Sequence, residues 1–189
     1  MRFTQLALTL WLAGAVADGS EPPRNVAVHV DIETTDRLLL VPLAKHAAGK
    51  MFADIGIHLE WEVSRRTEDS AQTPILIEVV SEAPQTLRPG VLGYADLHTG
   101  NHITVFLDRI AHTQYPAIVL AHVIVHEITH LLQRLNRHSE TGIMQARWSG
   151  RDYCEMRRGP LPFAPEDVAL IYQGLSNRKS VTASLGVTQ

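Results

Sequence analysis

The stretch "VHEITHLLQRLNRHSETGIMQARW", residues 125–148, places His126, Glu127, His130, His138, Gly142 and Met144 in one segment of a 189-residue chain. On an α-helix, residues four apart are turned by about 400°, so His126 and His130 share a face, about 40° apart and one turn separated. Both imidazoles can reach one ion. Neutral imidazole is a good zinc donor, and a catalytic zinc takes three protein ligands while leaving one position open. Glu127, about 100° further round the helix, is badly placed to share the ion but can hydrogen-bond water beside it, which makes it the candidate general base. The flanking residues are apolar on nearly every side, and two histidines with a glutamate in a buried helix are costly unless compensated. A metal supplies that compensation; histidines hydrogen-bonded to backbone or carboxylate within a core are the plainer alternative.

The segment resembles the metzincin superfamily of zinc endopeptidases, matrixin- or archaemetzincin-like, whose long pattern is HExxHxxGxxH followed by a loop and a methionine turn. Gln133 stands where that pattern has glycine and Asn136 where it has the third histidine; His138 follows two residues later, giving HExxHx7H. Glycine lets a chain leave a helix sharply. With Gln133 in its place, the helix is expected to run through Leu135 and end on Asn136 in the left-handed conformation that asparagine tolerates. The two added residues then bring His138 to the pair, and "HSETGIM" is similar to the family's run from third ligand to methionine turn, with Gly142 at the bend and Met144 beneath the histidines. Asn136 is a weak rival, since an amide oxygen binds zinc poorly beside imidazole. A glutamate on a later helix, Glu155 or Glu166, would complete the site in a gluzincin arrangement. His122 lies about 12 Å along the axis from His130, too far for one shared ion, and is expected to pack or support. Cys154 lacks the partner cysteines of the second zinc site found in archaemetzincins.

The resemblance implies an α+β, zincin-like domain: a twisted, mixed sheet of about five strands, a long active-site helix, a methionine turn and a C-terminal helix. It implies one catalytic Zn2+ on His126, His130 and His138, with Glu127 as general base for metal-activated water, and a peptide or protein substrate. That substrate would lie as an added strand against an antiparallel edge strand at residues 91–98, centred on Gly93, Tyr94 and Ala95. Ala146 stands where astacins carry a tyrosine two residues after the methionine, leaving Arg147 or Tyr153 for any such role. A catalytically idle zincin-fold binding module is the competing reading, and a zinc hydrolase acting on something other than peptides is a third.

Outside this segment the chain is ordinary globular text, 45% hydrophobic and 20% charged, of a length for one core. A formal charge of −3 leaves no basic field for nucleic acid. Residues 1–17, one arginine followed by an apolar run and Ala15 and Ala17 at the two positions a signal peptidase reads, are expected to be a signal peptide. Residues 18–25 then form a linker, 26–176 the catalytic domain, and 177–189 a loose tail. The apolar run is short for a permanent anchor, so no stable membrane attachment is expected, and the mature protein is expected to be a monomer that is secreted or periplasmic. Alternating "VAVHVDIE" and "IHLEWEV" read as strands, "PILIEVV" as a third from its run of β-branched residues, and residues 35–55 as a helix with Asp36 as a possible cap and Gly56 as its stop. "VLGYADLH" and "HITVFLDRI" add two more strands around "TGN". "APEDVALIYQGL" reads as a last helix closing at Gly174, with acidic residues in its opening turn.

Overall fold

The computed structural model describes residues 24–33, 39–63 and 73–185. The expected signal peptide and the Asp36 cap lie outside these residues. The elements run β1 (Arg24–Ile32), α1 (Leu40–Ala53), β2 (Ile57–Glu62), β3 (Ile75–Val80), β4 (Gly93–Asp96), β5 (His102–Phe106), α2 (Leu107–Ala111), α3 (Pro116–Gln133), α4 (Gly150–Met156) and α5 (Pro165–Leu185). One five-stranded sheet has the order β2-β1-β3-β5-β4. Four strands are parallel, and β4 alone runs antiparallel, against β5, at one edge. Along β3 burial alternates residue by residue, one face packing into the core, while β5 is buried from Ile103 to Phe106. Ile75, Ile77, Val79, Ile103 and Val105 are all buried to 1% exposure or less.

Helix α3 forms the centre of the domain. Pro116 sits in its first turn, where a missing N–H costs nothing, and every residue from Val119 to Gln133 is buried. It is long and apolar enough to cross a membrane by length and composition, yet 78% of it is buried within the fold, as a core helix should be. α1 and α5 pack along it. Gly93 lets β4 press onto this assembly: a Cβ there would come within 2.8 Å of the Thr104 carbonyl oxygen and 3.2 Å of Val123 Cγ1.

Four expectations are corrected. β1 begins at Arg24, inside the expected linker, and β5 stops at Phe106, after which residues 107–111 are helical. α3 ends at Gln133, with Arg134 rather than Asn136 in the left-handed region (φ 56°, ψ 33°). This conformation costs a non-glycine residue roughly 1 kcal/mol. It is held because the Arg134 and Leu135 N–H groups both donate to the His130 carbonyl, closing the helix end. Finally, the expected loose tail is helical as far as Leu185, and α5 passes straight through Gly174. The reason is tertiary: the Arg178 guanidinium donates to the carbonyls of Gly100 and Leu131, each at 3.0 Å, the latter among the last turn of α3 where carbonyls lack helical partners.

Gly174 is therefore a contact residue, not a helix stop. A Cβ built there would lie 1.8 Å from the Leu132 carbonyl oxygen, so the two helix backbones touch because one side chain is missing. Helix propensity alone predicts that Gly174→Ala gains up to about 1 kcal/mol. The contact decides the opposite sign: the substitution should destabilise the fold by about 1–3 kcal/mol through forced separation of α3 and α5, measurable as a lowered denaturant midpoint.

Candidate metal centre

His126 and His130 project from the C-terminal half of α3, 8% and 5% exposed, His130 in its last turn. Each ring has its Nδ1 committed: His126 Nδ1–H donates to the Ile143 carbonyl and His130 Nδ1–H to the Leu135 carbonyl, both at 2.9 Å. A backbone carbonyl can only accept, so these bonds fix both rings with the proton on Nδ1. The two Nε2 atoms then carry lone pairs, and they face each other at 3.1 Å. Two lone pairs cannot bond one another; the arrangement calls for a cation between them. Ligands on a tetrahedral zinc with Zn–N of about 2.0–2.1 Å would stand about 3.3 Å apart, close to what these rings present.

The third group arrives on the loop after α3. His138 stacks against His126 at 5.3 Å between ring centroids and meets His130 edge-on at 5.0 Å. The ligating atoms of His126, His130 and His138 all lie within 4.8 Å of one another, the one group of three or more histidine, cysteine or acidic side chains with that geometry among the described residues. Glu155 and Glu166 are engaged elsewhere: Glu155 pairs with Arg151 at 2.9 Å and Glu166 with Arg137 at 2.8 Å. Burial holds the proton affinities of all three histidines below the ordinary range, His126 down to about 4, so the site is a set of neutral donors at physiological pH. The donor set suits Zn2+.

The loop from His138 to Met144 doubles back beneath the pair. Ser139 N–H donates to the Met144 carbonyl at 2.8 Å, and Ile143 N–H to the Pro162 carbonyl at 2.9 Å, while the Ile143 carbonyl orients His126. Gly142 makes the turn, at φ 79°, and a Cβ there would sit 2.2 Å from the Pro162 carbonyl oxygen. No other residue fits both constraints. Met144 is fully buried in the core and does not line the cleft.

Above the histidines lies a cleft of about 790 Å³ whose walls include Gly93, Tyr94, Ala95, His126, Glu127, His130 and His138. Glu127 is 7% exposed, and burial pushes its carboxyl up to about 8, opposed only by a hydrogen bond from the Ala95 N–H of β4. Its proton affinity is thus brought near neutrality.

Trp148, Arg109 and Asp167 escape a reading of the chain, whereas His122 was expected to pack or support. Trp148 stands edge-on to His126 at 5.7 Å and to His122 at 6.1 Å, forming one wall; only its place after the methionine hinted at this. His122 is fully buried, donates from Nδ1 to the Ile118 carbonyl and accepts the Leu161 N–H at Nε2, which ties α3 to the segment under the methionine turn. Arg109 donates to the carbonyls of Leu87, Arg88 and Val91, pinning the loop that leads into β4. Asp167, fully buried in the first turn of α5, accepts from Gln133, Arg137 and Ser139, and its negative charge raises the proton affinity of His126 and His130. In sequence Asp167 is indistinguishable from any acidic residue at a helix start.

No protein-family model matches this chain, and no curated protein matches it in sequence. Among solved structures it is similar to archaemetzincin from Methanopyrus kandleri, with a TM-score of 0.51 over 86% of this chain and 99% of that one at 14% sequence identity. The fold is therefore zincin-like: a five-stranded, mostly parallel sheet with helices, carrying a histidine triad able to hold a metal ion.

Proposed function

We propose that the chain is an exported, metzincin-type zinc endopeptidase that hydrolyses peptide bonds in an extended peptide or protein substrate, using one catalytic Zn2+. The observation that carries this reading is the pair of unprotonated Nε2 atoms facing each other at 3.1 Å, with His138 beside them and a buried glutamate on the cleft side. His126, His130 and His138 would hold the ion, which when bound supplies Lewis-acid polarisation of a carbonyl and a lowered pKa for water. The Ile143 and Leu135 carbonyls keep two of the ligands in the correct tautomer and make them more basic. Glu127 takes a proton from the attacking water and passes it to the departing amine, a task suited to a carboxyl whose proton affinity lies near neutrality. β4, at the sheet edge and along the cleft, offers backbone groups to an extended substrate. Residues 1–17 support export, and the zincin-like fold supports the placement of the catalytic helix under an edge strand.

Glu127→Gln tests the enzyme directly. Zinc content should stay at wild-type level while hydrolysis of a broad peptide library falls by about 10²–10⁴-fold, the usual weight of a general acid–base group. A zinc-loaded wild type that cleaves nothing in that library would favour the idle binding module instead. The depressed proton affinities give a second test, with its sign set by competition: protons displace zinc only below the pKa of the metal-free ligands. Zinc affinity, measured against a competing chelator, should begin its histidine-linked fall at a lower pH than a site of ordinary imidazoles, which would begin losing zinc near about pH 6.5.

A further inference from the structure

The loop that carries His138 raises a problem of order. Residues 134–136 and His138 are exposed, and residues 135–139 form neither helix nor turn. Fixing one residue's backbone costs about 1–2 kcal/mol, so an exposed loop two residues longer than the family pattern would present its imidazole over a range of positions unless something anchors it. The anchors lie on either side of the histidine. Arg137 Nη1 donates to Asp167 Oδ1 at 2.8 Å, and Ser139 Oγ donates to Asp167 Oδ2 at 2.7 Å. Upstream, Gln133 Nε2 donates to the Asp167 backbone carbonyl at 3.1 Å and to Oδ1 at 3.4 Å.

One carboxylate thus holds the residue before His138 with one oxygen and the residue after it with the other. With both neighbours drawn toward α5, His138 is turned the opposite way, toward His126 and His130. Asp167 is fully buried, so its charge has no water to fall back on and depends on these donors. The same contacts explain Gln133: where the family pattern has glycine for a sharp exit, this chain has a side chain long enough to reach α5.

We propose that Asp167 is the positioning residue of the third zinc ligand, clasping the 134–139 loop from the C-terminal helix through Arg137, Ser139 and Gln133. The proposal rests on the assignment of His126, His130 and His138 as ligands. An aspartate accepts from both flanks at once, whereas an asparagine would keep one acceptor and lose the negative charge that the Arg137 guanidinium pairs with.

The test is a double-mutant cycle on zinc affinity, measured by chelator competition, with unfolding of the metal-free proteins as the folding control. Asp167→Asn should weaken zinc binding by about 10–100-fold, the usual effect of losing a group that orients a ligand, and Ser139→Ala should weaken it less, in the same direction. In a His138→Ala background, Asp167→Asn should change affinity by no more than about 2-fold, because the residue it positions is gone. If Asp167→Asn does not fold, Ser139→Ala carries the same cycle. Wild-type affinity in the single variants, or an equal loss in both backgrounds, would overturn the clasp, the second result pointing to a general or purely electrostatic effect. His138→Ala binding zinc as tightly as wild type would instead overturn the ligand assignment, and the clasp with it.

Discussion

Two carbonyl oxygens govern this molecule. By accepting the Nδ1 protons of His126 and His130, Ile143 and Leu135 force both Nε2 lone pairs to converge inside a dry helix, an arrangement that is repulsive without a cation. Each carbonyl must arrive on a chain segment of its own, and most of the surrounding structure is the means of delivery. Leu135 is placed by the left-handed turn at Arg134, whose strain is offset by bonds back to His130 itself. Ile143 is placed by the Gly142 turn against Pro162, and the Pro162 segment is fastened in turn near Leu161 to His122. The histidine pair and the loops that orient it are therefore one cooperative unit.

The same logic assigns work to the periphery. α5 does not merely cover α3; it meets the helix end at Gly174, supplies a guanidinium to the Leu131 carbonyl, and sets a buried carboxylate against the loop between helix and methionine turn. Burying that carboxylate would be prohibitive alone, and three donors make it tolerable. On the opposite side, Arg109 fixes the approach to β4, so the cleft is bounded by a pinned loop on one flank and by Trp148 on the other.

What could be read from the chain is what local geometry decides. The shared face of His126 and His130 follows from a spacing of four, while the bend at Gly142 was implied by the resemblance of "HSETGIM" to a methionine turn. The alternation of β1 and β2 and the β-branched run of β3 marked strands that the structure contains. What could not be read depends on partners remote in sequence. The end of α3 moved from Leu135 to Gln133 because Arg134, a residue type that gives no sign of it, takes the left-handed turn and closes the helix on the His130 carbonyl. Gly174 looked like a helix stop, since a glycine needed for backbone contact is textually the same as one needed for a turn; only the Leu132 carbonyl tells them apart. The polar residues after 176 have no apolar period, and their helix persists through Arg178 docking on α3. The chain already favoured His138 over Asn136, Glu155 and Glu166 as the third group; what it could not show is that His138 comes within reach of the pair while both glutamates are paired with arginines.

The hydrogen bond from Ala95 to Glu127 links the grip of the cleft to its acidity. A guest strand that drew that amide away would leave the carboxyl more basic, and loss of the carboxyl's proton would in turn tighten the sheet edge against the helix. Occupancy and protonation would then be two readings of a single equilibrium, in which the arrival of a guest strand shifts the carboxyl toward its protonated form.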